Sequence, residues 1–284
     1  MNQNALQPRS PVGIFDSGVG GLSVLRHIRE QLPNESLCYF ADSGFAPYGD
    51  KPETEIMQRT LFAAQSLLSQ GVKAIVVACN TATAAAIALL RSHYPDLILV
   101  GVEPGLKPAA SLSKTACAGV LATRSTLASA KYQLLCEQVE HSTQVRFIHQ
   151  ACPGLVNQIE RGELDSPATL KLLEGYLQPI FDTPADVLVL GCTHYPFVEA
   201  SIRDIAKRSN KGDIRIIDTG LAIARQLERL LTQHQLLNLN PGSLPITCTT
   251  SGQAAQLEFG LTRLLKLQPG EYTIQEIGCN LPLS

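Results

Sequence analysis

Short apolar runs rich in valine and isoleucine alternate along this chain with helix-forming stretches, the pattern of an α/β fold with a largely parallel sheet. VGIFD (12–16) meets the glycine-rich turn SGVGG, and an amphipathic helix is expected near Leu22 to Gln31. LCYFAD (37–42) leads into a loop with Pro47 and Gly49, then a helix near Glu53 to Gln70 ended by Gly71. KAIVVA (73–78) ends at Cys79, a helix runs on to about His93, and LILVGVEP gives a fourth strand.

The pattern then restarts. AGVLAT (118–123), VRFIHQ (145–150) and DVLVLG (186–191) read as a second set of strands. Aligning Gly13 with Gly119, Cys38 with Val145 and Ala74 with Val187 gives nearly constant separations, which points to two similar doubly wound parallel-sheet halves. Cys79 and Cys192 then hold equivalent places, one in each half. The tail after IIDTG (216–220) carries a helix, a strand near LPITCTT and more helix. It is too short for a third domain and is expected to complete one of the halves.

The bulk numbers exclude several classes. A chain of 284 residues, 45% hydrophobic and 17% charged, is long enough for a real core. A net charge of −2 gives no reason to expect a nucleic-acid partner or a membrane surface. MNQNALQPRS does not read as a signal peptide, and no apolar run is long enough to span a bilayer, so a soluble, cytoplasmic protein is expected. None of the eight cysteines has C-x-x-C spacing, which removes the usual zinc and thioredoxin signatures. Buried hydrophobe is the default reading of Cys38, Cys117, Cys136, Cys248 and Cys279.

In open α/β sheets, ligands bind outside the carboxyl ends of the strands. Small or polar residues stand there at Asp16–Ser17, Asp42–Ser43, Cys79–Asn80–Thr81, Thr123 and Cys192–Thr193–His194. A helix start offers free N–H groups and a positive dipole end, a setting for a carboxylate ligand that also raises the thiolate fraction of a cysteine. Either cysteine alone reads as core. Two at matching strand ends, each followed by hydroxyl or amide residues, favour function. His194 is placed as a base or proton partner of Cys192, with a structural histidine as the alternative. A metal site would need two ligands beyond Cys192 and His194, and spacing assigns none, so no metal is expected. Glu160 reads by default as a solvated helix-face carboxylate, Asp42 as a turn former and Tyr48 as rim packing. DSGVGG lacks a phosphate-loop lysine and the G-x-G-x-x-G pattern. Two thiols in opposite protonation states suit inversion of a stereocentre, one removing a proton and the other returning one from the opposite side.

GIFDSGVGGLSVL, YFADSGFAPYGDK, VVACNTATAAA, GVEP, VLATRSTLAS, CPGLVNQIE and LGCTHYPFV together resemble the glutamate racemases of the aspartate/glutamate racemase family. The resemblance implies cofactor-independent interconversion of L- and D-glutamate for peptidoglycan synthesis. It implies two α/β domains facing each other with the active site in the cleft between them, 1–104 with 219–284 as the first and 105–218 as the second. Glutamate is the implied partner, and a homodimer is compatible with it. Cys79 would take the α-proton from D-glutamate and Cys192 from L-glutamate, assisted by Asp16 and His194 respectively. Asp16, Ser17, Tyr48, Gly49, Asn80, Thr81, Thr193 and His194 match substrate-binding positions. Thr123 and Thr126 match further hydroxyls near the ligand, and Asp42 and Glu160 match acidic positions with supporting roles. Gly44-Phe45 departs from the alanine–arginine pair that family members often carry, and the residues before Pro11 extend beyond many members. Rival readings are a related racemase or isomerase acting on aspartate or a hydantoin, a cysteine hydrolase using Cys192 and His194, and a non-catalytic ligand-binding protein.

Overall fold

A computed structural model describes residues 7–240, 242 and 245–278, so the expectation for Cys279 lies outside the described residues. The chain divides into two compact units, Met1–Val102 with Gly220–Ser284, and Glu103–Thr219. No helix among the described residues is long and apolar enough to cross a membrane.

The first unit is built on strands β1 (Val12–Asp16), β2 (Leu37–Ala41), β3 (Ala74–Val77) and β4 (Ile98–Gly101). The second contains β5 (Cys117–Ala122), β6 (Arg146–Ala151), β7 (Val187–Gly191) and β8 (Arg215–Ile217). The tail returns to the first unit with β9 (Ile246–Thr250) and β10 (Tyr272–Glu276). Every pairing is parallel, in the orders β10-β9-β2-β1-β3-β4 and β6-β5-β7-β8. The second sheet thus repeats the β2-β1-β3-β4 order of the first. Strands β1, β2, β3, β5 and β7 are buried along their whole length, which is why they read as unbroken apolar runs.

Two strands escaped the sequence reading. β8 is only three residues long, RII, and β10 is a largely exposed edge strand, YTIQE, so neither gives a continuous apolar run. Register also corrects one alignment. Gly13 pairs with Cys38 and Ile75, while Gly119 pairs with Ile148 and Leu188. Ile148 rather than Val145 is therefore the counterpart of Cys38, because the connection from β5 to β6 is the longer one. The third alignment stands: Ala74 pairs with Val12 as Val187 pairs with Ala118.

Helix Leu22–Gln31 buries Leu22, Leu25 and Ile28, a stripe at helical spacing. Lys73, just before β3, is fully buried, and its ammonium donates to Glu35 Oε2 at 2.5 Å, Pro8 O at 2.5 Å and Leu236 O at 2.8 Å. All three donors are satisfied, so the charge is tolerated in the core, and the segment before Pro11 is tied to the base of the sheet.

Helices pack close against the central strands at Gly13 and Gly119. A Cβ on Gly119 would lie 2.5 Å from Ile180 Cγ2 and 3.0 Å from its Cδ1. Gly119→Ala is expected to destabilise the protein by about 1–3 kcal/mol through overpacking, read by urea unfolding. Adding Ile180→Ala should cost less than the two single changes together, because the colliding atoms are gone.

Candidate active site

A doubly wound sheet has a crevice where successive connections leave in opposite directions. In the first sheet that switch falls between β1 and β3, and in the second between β5 and β7. Phe15 pairs with Val77, and Ala78 N–H donates to Phe15 O at 2.8 Å, so Asp16–Ser17 and Cys79 leave adjacent strands at one crevice. Ala122 pairs with both Gly191 and Ala151, so Cys152, Thr123 and Cys192 follow side by side.

Cys79 caps helix Asn80–His93, its sulfur accepting the Ala82 N–H at 3.4 Å, and its thiol points at Ser17 Oγ at 3.6 Å. The positive end of the helix dipole therefore faces any negative charge on that sulfur. Asn80 and Thr81 form the first turn of the same helix and are buried. Asp16 is fully buried, and its Oδ2 accepts the Gly18 N–H at 2.9 Å, which fixes the turn out of β1.

Asp42, Tyr48 and Gly49 follow β2. Asp42 is fully buried and is no mere turn former: it accepts from Tyr48 OH at 2.5 Å, Arg59 Nε at 2.8 Å, Arg59 Nη2 at 2.5 Å and Ser251 Oγ at 2.6 Å. Tyr48 is buried rather than at a rim, sharing an apolar cluster with Phe15 and Cys79. Burial first, and then the negative charge of Asp42, hold its hydroxyl well above the ordinary phenol range. It therefore remains a hydrogen-bond donor.

In the second unit Cys192, Thr193 and His194 form the turn after β7 and are buried. Cys192 Sγ lies 3.7 Å from His194 Nδ1, and His194 Nε2 lies 2.6 Å from Glu160 Oε1. The Glu160 side chain is only 8% exposed, so the default reading as a solvated carboxylate is overturned. Burial alone would push the imidazole towards neutrality. The hydrogen bonds and charges of Cys192 and Glu160 outweigh it and hold His194 well above the usual histidine range. Thr123 caps helix Arg124–Ala128, accepting the Thr126 N–H at 3.2 Å and donating to Thr126 Oγ1 at 2.9 Å.

The other described cysteines are buried. Burial raises Cys38 and Cys136 to about 11, and Cys152 and Cys248 to about 12, which leaves them as inert thiols. No group of three or more His, Cys, Asp or Glu side chains among the described residues is arranged to hold a metal ion.

Sequence reasoning missed Arg59 and Ser251. Arg59 stands on the buried face of helix Glu53–Ser69 with Ile56 and Ala63, and a charge at a core position was its signal. Ser251 follows β9 directly, so the strand-end rule that selected the other segments applies to it equally.

The Asp/Glu/Hydantoin racemase family model matches residues 13–227, which include both thiols and both crevices. A glutamate racemase of Ectopseudomonas mendocina is 53% identical over 235 residues, spanning 83% of this chain and 87% of that protein. The crystal structure of a glutamate racemase isoform from Bacillus anthracis superposes with a TM-score of 0.82 at 31% identity, covering 98% of this chain and 100% of that one. The Francisella tularensis glutamate racemase in complex with D-glutamate gives 0.80 at 28% identity, covering 95% and 98%. With a match over most of its length and two sheets of one strand order, the chain belongs to the Asp/Glu/hydantoin racemase family.

Proposed function

We propose that this amino-acid racemase interconverts L- and D-glutamate in the cytoplasm without a cofactor, supplying D-glutamate for peptidoglycan, with Cys79 and Cys192 as its two bases. The observation that carries the two-base reading is the register equivalence of the thiols: each follows the strand beside the switch point of its own sheet. Glutamate as substrate is supported by relatives of that name at about half identity over most of both chains. We assign 1–104 with 219–284, and 105–218, as the domains that contribute one base each.

One sulfur, as thiolate, takes the α-proton of glutamate and becomes a thiol, leaving the electron pair on the substrate carbon and its carboxylate. The other sulfur, as thiol, delivers its proton to the opposite face of that carbon and becomes a thiolate. The enzyme ends in the mirrored protonation state, and reversal runs the other direction. Charge on the carbanionic carboxylate is met by N–H and hydroxyl donors at the strand ends, for which Ser17, Asn80, Thr81 and Thr193 are suited. Tyr48 and Gly49 contribute from the loop after β2. Asp16 assists Cys79. A protonated His194 stabilises Cys192 as a thiolate, and Glu160 holds the ring in that charged form. The hydrolase alternative uses Cys192 and His194 but gives Cys79 no task.

Cys79→Ser and Cys192→Ser are each expected to lower racemisation by about 10²–10⁴-fold with the fold retained, by polarimetric assay and circular dichroism. Near wild-type rates in either variant would refute the two-base assignment. In deuterated water, early product should carry label at Cα while recovered substrate does not; early label in recovered substrate points to a single exchanging base. Glu160→Gln removes the partner that favours the imidazolium, so His194 should lose its proton at lower pH, followed by NMR of labelled histidine. An unchanged midpoint would mean that Glu160 does not set the charge on that ring.

A further inference from the structure

Tyr48 sits in a segment, Ser43–Asp50, whose regular structure is limited to two single turns, Ser43–Phe45 and Tyr48–Asp50. So short a segment does not fix a side chain by its own backbone. What fixes this one comes from two other parts of the first unit. Helix Glu53–Ser69 contributes Arg59, whose fork closes on Asp42 and whose guanidinium carbon lies over Phe45 at 3.7 Å from the ring centre. The tail contributes the turn after β9. Ser251 N–H donates to Ala41 O at 3.1 Å, its hydroxyl donates to Asp42 Oδ1 at 2.6 Å, and its oxygen accepts the Gly44 N–H at 3.1 Å. Gly252 lies so close behind that an added Cβ would stand 2.9 Å from Ser43 Cβ and 3.0 Å from Gly44 N.

We infer that Arg59, Ser251 and Gly252 are positioning residues for the substrate loop, holding Tyr48 in place through Asp42 and Gly44 and so setting the affinity for glutamate without touching it. This rests on Tyr48 being a substrate contact, as proposed above. Asp42 accepts four hydrogen bonds from these neighbours and is already engaged by protein groups. Its contribution therefore passes through the Tyr48 hydroxyl. Arg59 pairs its charge with this buried carboxylate, and Ser251 ties the carboxylate to the loop backbone.

The test uses the full chain and steady-state kinetics in both directions. Ser251→Ala keeps the Arg59–Asp42 pair and so keeps the fold, whereas Gly252→Ala pushes on the loop from behind. Each should raise KM for both enantiomers by roughly tenfold with kcat within about twofold of wild type. In a Tyr48→Phe background, which already lacks the hydroxyl, Ser251→Ala should add little. If Tyr48→Phe raises KM while Ser251→Ala and Gly252→Ala do not, the positioning role is wrong and the Tyr48 contact stands. If the two variants lower the melting temperature and kcat but leave KM alone, their role is structural only. If Tyr48→Phe itself leaves KM unchanged, the substrate contact falls, and the positioning role falls with it.

Discussion

The parallel pairing of β1 with β3, and of β5 with β7, is the constraint on which everything at the strand ends depends. Parallel neighbours finish at the same edge, so a residue just past one strand lies beside the residue just past the next. Asp16–Ser17 meets Cys79 in this way, and Thr123 meets Cys192. The pairing in turn needs close cover from the helices, which press on Gly13 and Gly119, at the same register in the two sheets. The chemistry is thus placed by backbone register, and the side chains inherit their positions from it.

Equivalent placement does not give equivalent surroundings. Cys79 has a helix start and a hydroxyl beside it. Cys192 has an imidazole backed by a carboxylate. One sulfur thus faces peptide dipoles, and the other faces an imidazole held well above its usual range. The proposed two-base reaction asks each sulfur to serve as acid in one direction and base in the other, and the two settings would meet that need by different routes. At Cys38, Cys136, Cys152 and Cys248, by contrast, burial dominates and drives the thiols to about 11 or 12.

Much of this was legible in the sequence, and the misses have physical causes. The fully buried strands announced themselves as apolar runs, and Cys79 and Cys192 were visible as polar-flanked interruptions at their ends. β8 and β10 were not, because β8 is only three residues long and β10 exposes most of its side chains. The Cys38–Val145 alignment slipped because connection lengths differ between the halves, and only register reveals the true partner, Ile148. Glu160 looked solvated because helix periodicity does not show what the next turn packs against it; His194, distant in sequence, makes the contact. Arg59 and Ser251 were hidden for the same reason, since their common partner Asp42 is reached only after the chain folds.

That last case bears on how the site is divided along the chain. The family match ends at residue 227, yet residues 251 and 252 pack against the start of the loop that carries Tyr48. What brings them there is again a parallel pairing, β9 against β2, with Thr250 opposite Ala41. The first two residues past the strand make the contacts: a small hydroxyl that donates to the carboxylate and accepts the loop N–H, then a residue with no Cβ. A segment beyond the family match thus reaches the Tyr48 loop through one strand register and two small residues, and on the proposed reading it acts on the site without carrying a reacting group.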